Sequence, residues 1–118
     1  MDTIEQMIEG IGKMLAKILL NKEPKQEFVI EHLSAGETLH AKLDYMISEG
    51  KINEAENLLF EELMIFSSAE VYAAGLEFYA YLNSLPEEFL HENNFSKEEI
   101  RQGLEDMLRD IPVLITGI

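Results

Sequence analysis

Two short stretches place a glutamate three residues before a histidine: Glu37-Thr-Leu-His40 and Glu88-Phe-Leu-His91. On a helix, side chains three apart leave the same face, so a carboxylate and an imidazole at this spacing can grip one ion. Paired E-x-x-H motifs, each joined by a glutamate from another helix, are the ligand set of di-iron and di-manganese bundles. Glu37, His40, Glu88 and His91 are therefore the candidate metal ligands, and Glu62, Glu70 or Glu77 could supply the partner carboxylates. Chance is the competing explanation. Acids make up 23 of 118 residues, so a glutamate near a histidine is an ordinary occurrence. His91 lies in a short segment between Pro86 and Asn93-Asn94, and neither motif is flanked by an apolar stripe that would carry it inward. The sequence leads us to expect no metal and no cofactor, with a small helical metal-binding protein or enzyme as the alternative.

Other chemistry finds less support. The chain has no cysteine, which removes disulfides, thiolate ligands and thiol nucleophiles. Gly10-Ile-Gly12 lacks a third glycine and sits in a helical pattern, so it does not form a phosphate cradle. No serine stands in a G-x-S-x-G setting, and several stand where helix caps belong. His32, next to Glu31, reads as a surface or half-buried residue. Catalysis is not expected.

The formal net charge is −14, and residues 43–96 carry eleven acids against a single cation, Lys51. Such a surface repels phosphate backbones and anionic lipid, so neither nucleic acid nor membrane is an expected partner. Solubility explains the acids most simply, and a basic partner is compatible with them. Acids in MDTIEQMIEG stand where a secretory signal needs positive charge, and no apolar run exceeds five residues. A soluble, cytoplasmic, single-domain protein is expected, with no catalytic site residues.

The elements that would position these side chains are helical. Apolar residues at 4, 7, 8, 11, 14, 15, 18 and 19 recur on one face of an amphipathic helix spanning 2–21. Its three acids are balanced by Lys13, Lys17 and the adjoining Lys22, which favours core or protein packing over lipid. Pro24 closes it, and a helical core follows over 25–111, with a short helix at Phe28, Val29 and Leu33. Whether 25–48 forms one bent helix or two is open. Leu39, Leu43, Met46 and Ile47 share a face up to Gly50, which suits a helix C′ position. Asn53 and Glu56 offer a start for the next helix, apolar at Ala55, Leu58, Leu59, Phe60, Leu63, Ile65 and Phe66.

The stretch EVYAAGLEFYAYLNSL is apolar nearly all round, save a strip of Glu70, Glu77 and Ser84, so it should be central. Tyr45, Tyr72, Tyr79 and Tyr81 read as core or rim residues, Tyr81 leaning furthest outward. A short helical turn follows Pro86, and then FSKEEI supplies a Ser96–Glu99 capping box and a Phe95–Ile100 hydrophobic staple. Ile100, Leu104, Met107, Leu108 and Ile111 face inward until Pro112 stops the helix, leaving an apolar tail at 112–118. The expected fold is all-α, a compact bundle of five to six helices.

Gly50, Ala55 and Leu59, with Leu39 and Met46 upstream, resemble the hairpin of a tetratricopeptide repeat over about 37–66. Leu43, Glu62 and Ser67 depart from that pattern, and no second copy follows at the repeat's period. Over most of its length the chain also resembles a family of small all-helical proteins of unknown function from Gram-positive bacteria. The residues carrying this are KMLAKILLNK, EGKINEAENLLFEEL, LEFYAYLNSL and NFSKEEIRQGLEDM. The resemblance implies a helical fold and brings no site with it. The expected function is a non-catalytic protein-interaction or scaffold module, including self-association through helix 2–21 or Val113-Leu114-Ile115.

Overall fold

Six helices make up the regular structure of the described residues, and no strand occurs among them. The computed structural model describes the backbone of residues 3–21, 38–65 and 69–115, and the side chains of residues 3–16, 38–65 and 70–109. In chain order the helices are α1, Thr3–Asn21; α2, residues 38–48; α3, Ile52–Ile65; α4, Ala69–Ser84; α5, Glu87–Glu92; and α6, Lys97–Ile115. The all-α bundle expected from periodicity is the fold observed. The segment between α1 and α2, which includes Pro24, His32 and Glu37, lies outside the described residues, as does the Ser67-Ser68 cap.

The helix that is apolar nearly all round holds the centre. α4 touches α1, α3 and α6, burying Val71, Tyr72, Ala74, Phe78, Tyr79 and Leu82 among them. Gly75 lets two neighbours approach at once: a β-carbon there would stand 3.0 Å from Leu59 of α3 and 3.1 Å from Met107 of α6. The described apolar face of α1 is used inside the molecule, with Ile11 and Leu15 buried and Ile4, Met7, Ile8 and Met14 against the core. Gly12 borders that face, and Leu76 of α4 lies 3.5 Å from where its β-carbon would be. Ile100, Leu104 and Met107 of α6 are buried as the pattern requires, whereas Leu108 is partly in solvent.

Two helix ends are closed in the same way and then joined. At the α2–α3 corner, Gly50 N–H donates to Ile47 O at 2.9 Å and Lys51 N–H to Met46 O at 2.8 Å. This is a Schellman closure, with Gly50 at φ +76°. At the α5–α6 corner, Asn94 N–H donates to His91 O at 3.1 Å and Phe95 N–H to Leu90 O at 2.9 Å, with Asn94 at φ +59°. Phe95 and Leu90 are both buried, supplying the apolar contact that accompanies this motif. Asn53 Nδ2 then donates to Asn94 O at 3.1 Å and Asn93 O at 3.5 Å, and Asn93 Nδ2 donates to Phe89 O at 2.8 Å.

Two sequence expectations are corrected here. Asn53 does not cap α3: Ala55 N–H donates to Lys51 O at 3.0 Å, so Lys51 holds the cap position. The closure at Gly50–Lys51 brings the chain into α3 at once, and the Asn53 amide is left to bridge the two corners. Pro112 does not stop the last helix, which runs to Ile115. Proline's fixed φ is itself helical; its cost is one missing N–H bond and the crowding of the carbonyl four residues back, and the helix continues past it for three residues. The serine arm of the Ser96–Glu99 box is present, Glu99 N–H donating to Ser96 Oγ at 3.2 Å, while the Glu99 carboxylate accepts from the Ser96 hydroxyl at 3.2 Å; Phe95 and Ile100 are both buried.

Gly50 is constrained twice, because a β-carbon there would meet Asn93 Oδ1 at 2.5 Å as well as an unfavourable φ. Gly50→Ala should lower unfolding stability by roughly 1–3 kcal/mol in urea titration. Asn94→Gly should be neutral or slightly stabilising and Asn94→Ala should cost about 1 kcal/mol, since only the left-handed φ distinguishes them.

Candidate functional site

The histidine motifs come apart in the folded chain. His40 bridges two helices: its Nε2 is 2.9 Å from Glu77 Oε2 on α4, and its Nδ1 is 3.5 Å from Asp44 Oδ2 one turn along α2. All three side chains are partly exposed, which makes this a surface contact of modest energy. Glu88 and His91 instead line an open cleft of about 530 Å³ between α5 and α6, beside Glu87, Ser96, Lys97 and Glu98. Lys97 leans back from that wall, its Nζ donating to Asn83 O at 2.6 Å and Asn83 Oδ1 at 2.9 Å near the end of α4. Glu37 lies outside the described residues. Of the nominated partner carboxylates, Glu77 meets His40, Glu62 is half-buried on α3, and Glu70 is buried in the first turn of α4. That position suits a carboxylate, since the helix N-terminus is positive. Among the described residues, no group of three or more histidines or acids is arranged to hold a metal ion.

One ionisable contact does lie inside the bundle. The Tyr79 hydroxyl donates to Glu56 Oε2 at 2.6 Å, joining α4 to α3. The Tyr79 ring is fully buried and occupies the space that a β-carbon at Gly103 of α6 would fill, so three helices meet at this point. Burial pushes the Glu56 carboxyl above its ordinary range; the Tyr79 hydrogen bond opposes that rise, and the Glu99 charge adds to it. Burial also pushes the Tyr79 hydroxyl far upward, reinforced by the Glu56 charge and the shared hydrogen bond. Glu56 has the apparent position of a capping-box acid, which is why the sequence concealed its role. The arrangement fixes helices and offers no nucleophile.

The exposed face of α6 is charge-compensated. Arg101 hydrogen-bonds Glu98 and Glu105, and Arg109 pairs with Asp106. The Arg101 hydrogen bond holds the Glu98 carboxyl below its usual range. The outer face of α3 is different. Ile52, Ala55, Leu59 and Leu63 are buried, while Met64 is 85% exposed and Ile65 69% exposed. Ile65 was expected on the inward arc; at 100° per residue it stands about 160° around the helix from Leu63, on the opposite side. Tyr45 on α2 is 64% exposed and exceeds Tyr81 on α4 at 46%, while Tyr72 and Tyr79 are core residues.

The fold and its surface define a small, acidic, all-α bundle whose most exposed large apolar side chains belong to α2 and α3. No helix among the described residues is long and apolar enough to cross a membrane. The chain belongs to the family described as "Family of unknown function (DUF6483)", which it matches over residues 1–111. No curated protein and no solved structure matches it.

A raised Glu56 means that the folded state holds its proton to higher pH than the unfolded chain does. This contribution to stability is therefore full below the ordinary carboxylate value and is lost as pH rises through the folded one. Glu56→Gln, which copies the protonated form, should unfold at higher denaturant than the native chain at pH 7, with the gap closing on acidification. Tyr79→Phe should lose about 1–2 kcal/mol at pH 7.

Proposed function

We propose that this protein is a non-catalytic protein-interaction module and that α3, with the adjoining end of α2, presents its contact surface. The observation that carries the reading is the solvent exposure of Met64 and Ile65, side by side on the outward face of a helix whose inner face is fully packed. Large apolar groups in water cost free energy that a partner recovers, at roughly 25 cal/mol per Å² covered. The helix pair formed by α2 and α3 adds support. Its glycine corner and fully buried Ala55 are the features by which it resembles one tetratricopeptide unit, a unit that presents helix faces to other chains. The described apolar residues of α1 are engaged with the core, which directs the search for a partner surface to α3.

A photo-crosslinking residue tests this directly. Introduced at Asn57, on the outer face of α3, in cells of the native host, it should give a discrete light-dependent adduct. The same residue at exposed Gln102 on α6 should give none. No adduct at Asn57, or equal adducts at both positions, would remove the reading.

A further inference from the structure

The outer face of α3 carries enough chemistry to specify the kind of partner it fits. Glu54, Asn57, Glu61, Met64 and Ile65 are all exposed and share one side of the helix, opposite Ile52, Ala55, Leu59 and Leu63. Glu61 precedes Met64 by three residues and Ile65 by four, so its carboxylate lies directly beside both apolar side chains. Glu54, Glu61 and Glu62 take no part in the ion pairs that Glu9, Arg101 and Arg109 make with their partners, nor in the contacts of His40. The last turn of α3 contains no basic residue to offset these carboxylates.

Apolar side chains and uncompensated carboxylates thus share a patch about three turns long. We infer that this patch docks a cationic amphipathic helix of a partner protein. The partner's apolar face covers Met64 and Ile65, and its lysines or arginines meet Glu54 and Glu61. Methionine suits the task, because its unbranched, polarizable side chain adapts to differing apolar surfaces. A second copy of this chain fits poorly: its net charge is −14, and two such faces would set acid against acid. Anionic membrane and nucleic acid are opposed by the same field. The inference rests on the interaction-module reading and narrows it to one class of partner.

The probe is a fluorescent, helical leucine–lysine peptide with one apolar and one basic face, with a leucine–glutamate peptide of the same pattern as control. Anisotropy titration at physiological salt should show saturable binding of the first and none of the second. Met64→Ser combined with Ile65→Ser should weaken binding roughly tenfold or more, as expected for two truncated contact residues. Glu54→Gln combined with Glu61→Gln should weaken it and flatten its salt dependence. Amide shift changes should centre on residues 54–65. All four positions are exposed, and an unchanged circular dichroism spectrum confirms that the variants fold. Affinity insensitive to the Met64/Ile65 pair, shifts centred elsewhere, or equal binding of both peptides would overturn the inference. An Asn57 adduct whose attached partner segment is neither basic nor amphipathic would overturn it too, while leaving the interaction-module reading standing; absence of any adduct would remove both.

Discussion

A helix with apolar side chains around almost its whole circumference has to be enclosed, and the architecture follows from enclosing α4. One neighbour covers one stripe, so Val71, Tyr72, Phe78, Tyr79 and Leu82 require several helices at once. α1, α3 and α6 supply that cover, and Gly75 and Gly103 remove the side-chain bulk that would hold them apart. Close approach strengthens dispersion contacts along the seams, since interiors pack to crystal-like density. The same closeness dictates where polar atoms can exist. Tyr79 brings a hydroxyl into the interior, which must be satisfied, and Glu56 of α3 is the acceptor within reach.

Most of this order is visible in residue spacing. The 3.6-residue period of α1 and α6 is strong, α4 shows itself by being apolar nearly all round, and Ser96–Glu99 with Phe95–Ile100 marks a helix start through side chains close in sequence. Gly50 was legible for the same reason: a left-handed C′ residue is a local requirement with a local signature. Asn53 was not, because its acceptors are the backbone carbonyls of residues some forty positions away. Pro112 misled because proline disfavours a helix through one lost bond and one crowded carbonyl, while its own φ remains helical.

The surface was harder to read than the core. Glu37-x-x-His40 and Glu88-x-x-His91 share a spacing, yet His40 turns to Glu77 and Asp44 while Glu88 and His91 line a cleft beside α6. Spacing along one helix says which residues share a face; it does not say which neighbour that face will meet. Ile65 shows the converse problem. Its type suggested burial, whereas helical geometry placed it opposite Leu63, so position outweighed hydrophobicity. Glu56 and Tyr79, far apart in sequence, gave no pairwise signal at all.

The two closed corners confer an asymmetry on the molecule. Where α2 meets α3 and α5 meets α6, cohesion comes from uncharged amides and main-chain carbonyls: Asn53, Asn93 and the turns around Gly50 and Asn94. Dissolved ions leave such bonds nearly untouched. Elsewhere, Arg101 and its two glutamates pair along a single helix through opposite charges in contact with solvent, which electrolyte attenuates. The joined corners therefore keep their shape as ionic strength varies, giving α3 a rigid base at its N-terminal end however its surroundings change.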